Sequence, residues 1–168
     1  MRPFAVSCLV PIEGRMLFVR HTYGVAKGRI LIPGGYLKED ELPSKAAERE
    51  LFEETGVTAR AEGLFAARCK GGQWILVVKM QYISGEPHSD GYENDEVLLL
   101  KPENAILRPD ITNMSRSIMK AYIECPDRII PLSEEVPPTY DPQKYEFYGV
   151  RTASALAKKL SVLYCGLR

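Results

Sequence analysis

The sequence predicts a mixed α/β (α+β) domain in which strands alternate with a few helices. Three observations predict it. Short apolar runs rich in β-branched residues recur along the first hundred residues, one intervening window is made almost entirely of strong helix formers, and a second window has apolar spacings of three and four. The chain has 168 residues, with 22 Lys+Arg against 22 Asp+Glu, so its formal charge is zero. That balance argues against a uniformly basic surface for nucleic acid or membrane. No apolar run approaches the roughly 20 residues of a membrane-spanning helix.

The first strand is expected over Phe4 to Ile12, closed by the turn signal Glu13-Gly14. Met16 to Arg20 resumes the pattern after a gap short enough for a hairpin. The start of the chain therefore reads as a strand, not a signal peptide. A glycine-rich stretch, Gly24 to Gly28, leads to a brief strand in RILIPGG, stopped by Pro33-Gly34-Gly35. Pro43 to Thr55 is the first helix, with Pro43 and Ser44 as signals at its start and Gly56 just past its end. Strand-like runs come next over Glu62 to Cys69 and Trp74 to Ile83, separated by Gly71-Gly72. A polar loop, Ser84 to Asp95, precedes the apolar run Val97 to Leu100, and Ile111 to Tyr122 is the second helix.

These elements place one domain over residues 1–125. Residues 126–168 read as an appendage: five of the twelve prolines fall between Pro126 and Pro142, which implies an extended arm. Arg151 to Tyr164 regains amphipathic helical spacing and could pack on its own domain or on a second copy in a homodimer. The four cysteines, Cys8, Cys69, Cys125 and Cys165, are dispersed, which disfavours a zinc site or a disulfide framework and favours reduced thiols in the cytoplasm.

The chemistry is concentrated between residues 35 and 57. On a helix, Glu50, Glu53 and Glu54 fall within an arc of about 100°. Like charges spaced by three and four residues destabilise a helix by roughly 0.2–0.5 kcal/mol per pair. A single glutamate there is a solvated side chain; three on one stripe make a negative site that a hard divalent cation relieves.

The same segment resembles the signature of the Nudix hydrolase family, G-x5-E-x7-R-E-U-x-E-E-x-G-U with U a bulky aliphatic. Gly35, Glu41, Arg49, Glu50, Leu51, Glu53, Glu54, Gly56 and Val57 occupy every fixed position. By chance this pattern occurs in fewer than about one window per 10⁸. The resemblance implies an α/β/α sandwich with a mixed sheet, and metal-dependent hydrolysis of a diphosphate linkage in a nucleoside diphosphate derivative. It implies Mg2+ or Mn2+ held by Glu50, Glu53 and Glu54 with the carbonyl of Gly34. Arg49 would hold a carboxylate in place, and Glu41 would support the water around the metal. Lys38 stands where family members often carry an acid, and Asp40 where they often carry glycine.

A base must take a proton from water. Glu93 and Glu96 are the candidates, because the family often places a functional glutamate in that loop, with Glu50 as the fallback. Arg20, Lys27, Arg29, Arg68 and Lys70 are available for phosphates, and Trp74, with Tyr23 or Tyr82, could stack on a base or pack on the sheet. His21 and His88 are isolated and read as loop or surface residues. The expected partner is a small nucleotide: a nucleoside triphosphate, a nucleotide sugar, a dinucleoside polyphosphate or an ADP-ribose-type molecule, the last disfavoured by the absence of a proline in CKGGQW. The alternative is a sensor that binds a nucleotide without cleaving it; an intact set of box glutamates argues for the enzyme.

Overall fold

A computed structural model describes residues 4–136 and 138–150. Two sheets form the frame. In the first, β1 (Phe4–Leu9) lies parallel to β6 (Gln73–Ser84), which is antiparallel to β5 (Thr58–Lys70), and β5 carries β8 (Ile130–Pro131) on its far edge. In the second, β3 (Arg15–His21) pairs along one edge with β7 (Asn94–Leu100). Its other edge pairs with β2 (Pro11–Ile12) at one end and β4 (Ile30–Leu31) at the other. The class is the expected mixed α+β one, with a mixed sheet between helices.

Strand residues alternate between two cores. Cys8, Leu17 and Val78 face α1 (Pro43–Thr55), where they meet Ala46, Ala47 and Leu51. Their neighbours Leu9, Phe18 and Val77 face the opposite layer with Ile118 and Met119 of α3 (Asn113–Glu124). Both faces are covered, so these strands read as continuous apolar runs without polar alternation.

α1 has the expected limits, with Gly56 closing it at φ 67 in the left-handed region. Its start differs in one respect. Leu42 is the N-cap and contributes no side-chain hydrogen bond, and Ser44 is buried in the first turn without capping anything. The run Phe4 to Ile12 is two strands, not one: Pro11 lacks an N–H, the chain leaves the first sheet at Val10, and β2 starts in the second. The turn Glu13-Gly14 has φ of 49 and 74, as a two-residue hairpin loop demands. A single-turn helix, α2 (Pro102–Ala105), is too short to leave a periodic signature. α3 is capped by Thr112, whose Oγ1 accepts from the Ser115 N–H at 3.3 Å.

The sheet also takes in chain beyond residue 125, through β8. The amphipathic helix expected over residues 151–164, and Cys165 with it, lie outside the described residues. Cys8, Cys69 and Cys125 are free thiols, the first buried. Among the described residues no helix is long and apolar enough to cross a membrane.

Candidate active site

The loop before α1 runs beside β1, with the Val6 N–H donating to the Gly35 carbonyl at 2.9 Å and the Cys8 N–H to Pro33 at 2.7 Å. Two glycines make this approach possible. A Cβ at Gly34, whose φ is 151, would lie 2.2 Å from the Val6 carbonyl oxygen. One at Gly35 would lie 2.4 Å from Glu50 Oε2. Glycine here lets the backbone lie directly against the helix carboxylates.

Those carboxylates are held in three different ways. Glu54 is 2% exposed; its Oε2 accepts the Gly34 N–H at 3.1 Å, and its Oε1 is buried with no partner. Burial pushes its carboxyl up to about 8 against the opposing Gly34 hydrogen bond, and the charges of Glu50, Glu93 and Asp90 add to the rise. Glu50 is raised by burial, with Glu53 and Glu93 contributing and Arg49 opposing. Glu53 is exposed and reaches Arg49 at 2.8 Å and Lys38 at 3.7 Å.

Arg49 is the hub of the cluster. Its guanidinium grips Glu41 through two 2.7 Å bonds, reaches Glu50 at 2.7 Å and Glu53 at 2.8 Å, and donates to the Tyr36 carbonyl at 3.2 Å. This fork holds the Glu41 carboxyl below its usual range. Glu41 also accepts the Lys38 N–H at 2.8 Å. Asp40, in a position where glycine is frequent, has φ 57, a left-handed conformation that aspartate tolerates better than most residues.

The loop between β6 and β7 is fastened to the C-terminal end of α1. The His88 N–H donates to the Thr55 carbonyl at 3.0 Å, and buried Asn94 donates through Nδ2 to the Glu54 carbonyl at 2.8 Å. The imidazole of His88 lies so close to Gly56 that a Cβ there would fall 2.0 Å from Cε1. Asp90 Oδ1 accepts the N–H groups of Tyr92, Glu93 and Asn94 at 2.9–3.0 Å. Thr22 joins the same loop to the end of β3, donating its hydroxyl to the Tyr92 carbonyl and its N–H to the Glu93 carbonyl. Glu93 is thereby brought opposite the helix, and Tyr23 donates its hydroxyl to Glu93 Oε2 at 2.9 Å.

A cavity of about 710 Å³ lies between these parts, lined by Gly34, Gly35, Glu50, Tyr23, Glu93 and Arg68 among others. Of the residues singled out in the sequence, the structure therefore collects Gly34, Glu50, Glu93 and Arg68 in one place, with Glu54 buried behind Gly34. Glu96 and Arg20 are elsewhere. They face each other across β7 and β3, and Arg20 Nε bonds Glu96 at 2.8 Å while Nη1 bonds Asp110 at 3.1 Å. The Glu96 carboxylate is thus paired with an arginine, and the Arg20 guanidinium with two carboxylates. Arg29 is exposed at the approach to β4 and does not line the cavity. Trp74, 41% exposed, points to the opposite face of β6 from its neighbours Gln73 and Ile75, which do line it.

Tyr23 and His21 stack at 5.2 Å and both line the cavity. His21 Nε2 is buried without a partner, and burial lowers its imidazole pKa. From the sequence His21 reads as a loop or surface residue; its place at the end of β3, just ahead of the glycine-rich stretch, is the signal that could have found it.

Among the described residues no three Asp, Glu, His or Cys side chains converge tightly enough to form a ligand set as they stand, because Arg49 draws Glu50 and Glu53 to itself. A divalent cation nevertheless fits the donors present. Glu54 Oε1 is a buried acceptor with nothing to accept from, beside a half-buried Glu50 whose charge is also disfavoured. Hard carboxylate oxygens with room for water and phosphate are what Mg2+ and Mn2+ select.

A family model of the NUDIX domain matches residues 1–122. Phosphatase NudJ of Escherichia coli (strain K12) is 36% identical over 78 residues, 46% of this chain and 48% of that protein. The chain thus spans about half the length of the curated relatives it matches. A NUDIX hydrolase from Nitrosomonas europaea superposes with a TM-score of 0.66 at 22% identity, over 74% of this chain and 72% of that one. The MutT protein from Methanosarcina mazei Go1 gives 0.63 at 19% identity, over 74% and 95%. At such identities these two structures establish the fold.

Proposed function

The chain belongs to the NUDIX family, and we propose that it hydrolyses a diphosphate linkage in a small nucleoside diphosphate derivative, with Mg2+ or Mn2+ as cofactor. The observation that carries this reading is the orphaned, buried Oε1 of Glu54, whose carboxylate is bonded to the Gly34 N–H behind a cavity lined by Gly34, Glu50 and Glu93.

Glu50, Glu53, Glu54 and the carbonyl of Gly34 hold the cation. A bound divalent ion supplies the positive charge that the diphosphate oxygens and the departing phosphate need. Arg49 keeps Glu50 and Glu53 oriented and, through Glu41, stays fixed itself. Glu93 takes the proton of the attacking water on Oε1, while the Tyr23 hydroxyl holds Oε2. The water oxygen bonds to phosphorus, the bond to the bridging oxygen breaks, and that oxygen leaves with the departing phosphate. Glu50 remains the fallback base; Glu96 is set aside, since Arg20 occupies it.

Arg68, on the rim, meets a phosphate of the substrate. It also borders a second groove of about 580 Å³ between β5 and α3, lined by Phe65, Val77, Met114 and Ile118 with Asn113 and Ser117 as the polar groups. The organic half of the substrate lies there. Free thiols at Cys8, Cys69 and Cys125 suit a cytoplasmic setting.

The test is a panel of nucleoside diphosphate derivatives incubated with Mg2+, with products identified by mass. Metal-dependent cleavage at a diphosphate in the parent, abolished in Glu54→Gln, supports the reading. Cleavage at the parental rate by Glu54→Gln contradicts it.

A further inference from the structure

The family match ends at residue 122, and the later part of the described chain is built as a clip. Leu132 bridges Tyr148, the Ser133 N–H donates to the Phe147 carbonyl at 2.8 Å, and the Gly149 N–H donates to Pro131 at 2.8 Å. Tyr140 packs edge-on against Tyr145 and Phe147, closing the far end. One limb is stitched to β5: Ile130 and Pro131 pair with Leu64 and Gly63, and the Leu132 N–H donates to the Glu62 carbonyl at 2.9 Å. Gly63 permits this, since a Cβ there would lie 2.4 Å from the Ile130 carbonyl oxygen. The other limb presents Glu146, whose Oε1 accepts the Ser44 N–H at 3.1 Å and the Tyr148 hydroxyl at 2.6 Å.

Ser44 is in the first turn of α1, and α1 lacks what a helix start normally has. Its N-cap is Leu42, with no side-chain acceptor, and its first turn contains no acid. Two of its carboxylates, Glu53 and Glu54, fall in its last turn, where the helix dipole is negative and repels them. Such a helix depends on outside support at its N-terminus. It also tolerates no axial slip. Each residue advances about 1.5 Å along the axis, and a shift of that size would break the 3.1 Å Gly34–Glu54 bond and move Glu50 off its seat on Gly35.

We infer that Glu146 is a positioning residue for the carboxylate helix: from 102 residues away it supplies the acceptor and negative charge missing from the start of α1, so that the clip fixes Glu50 and Glu54 against Gly34 and Gly35. Tyr148 completes the arrangement by orienting the Glu146 carboxylate. This role rests on the proposed metal site, in that the helix is positioned for a cation.

The experiment uses the full chain, Mn2+ alone as probe with detection by electron paramagnetic resonance, and amide exchange of Ser44 recorded without metal. Glu146→Ala is expected to speed Ser44 exchange about five-fold, the effect of losing a cap. It should weaken Mn2+ binding by a similar factor and lower kcat at fixed Mn2+ with KM for substrate unchanged. Glu146→Gln keeps an acceptor without the charge, so it should restore Ser44 protection and part of the Mn2+ affinity. Should Glu146→Ala fail to fold, Glu146→Gln and Tyr148→Phe decide the same point through their Mn2+ affinities. Unchanged Mn2+ affinity in these variants overturns the inference, including when the melting temperature falls, because Glu146 then only stabilises the fold. Failure of the parent protein to bind Mn2+ is a separate result and overturns the metal reading itself.

Discussion

Asn94 donates through Nδ2 to the Glu54 carbonyl at 2.8 Å, so the loop that carries Glu93 is tied directly to the last turn of the helix that carries Glu54. Two pieces of chain forty residues apart are thereby assembled into one site. Asn94 is fully buried, and removing its amide leaves the Glu54 carbonyl without that donor. Asn94→Ala should cost about 1–3 kcal/mol of stability, read as a lower urea midpoint. It should also reduce kcat, since Glu93 loses its registration against α1. Loss of stability with kcat unchanged would show that the loop finds its position without this bond.

Glu93 and Glu96 are separated by the company they keep. Glu93 faces the cavity with Tyr23, whereas Glu96 is half-exposed and paired with Arg20. Glu93→Gln should lower kcat by roughly 10²–10⁴, the contribution of a positioned base. Glu96→Gln should leave kcat within about two-fold and cost under about 1 kcal/mol of stability, as for other exposed ion pairs. Steady-state kinetics on both variants decides between them, and the reverse ranking would move the base to β7.

Arg49 binds Glu41, Glu50, Glu53 and the Tyr36 carbonyl with one planar fork. A lysine brings the same charge without that geometry. Arg49→Lys is expected to lower kcat/KM at least about ten-fold while folding normally by circular dichroism. Parental kcat/KM in this variant would mean that charge alone suffices.

Asp110 is held well below the usual carboxylate range by hydrogen bonds first from Arg108 and then from Arg20. A carboxyl whose folded-state pKa is depressed contributes stability that is present above its unfolded value and is lost as pH falls through the folded one. The melting temperature should therefore drop as pH is lowered below about 4. In Asp110→Asn that acid-side drop should be shallower. Identical acid profiles would show that the Arg108–Asp110–Arg20 cluster adds nothing to stability.

The helix Pro43–Thr55 and its glutamates are legible in the sequence because every determinant is local: residue propensity, three- and four-residue spacing, and a glycine at the C-terminus. The two-core arrangement is legible only as apolar runs, since a strand covered on both faces carries no period that distinguishes them. Pairing over distance cannot be read. Nothing near Glu96 in the chain announces that Arg20, 76 residues earlier, will occupy it. Nothing near Tyr23 announces Glu93. The alternation of Gln73, Trp74 and Ile75 across β6 is readable, but which face borders the cavity depends on how β6 packs between β1 and β5. Composition marks the proline-rich arm as extended, but the hydrogen bonds of its described residues to β5 and α1 depend on residues such as Gly63 whose purpose appears only in three dimensions.

The most direct measurement is a calorimetric titration of Mn2+ into the parent protein and Glu54→Gln. Saturable binding by the parent, weakened at least about ten-fold in the variant with its metal-free melting temperature preserved, is the predicted result. Equal affinity in the two proteins, or no heat in either, would contradict the placement of a cation beside Glu54.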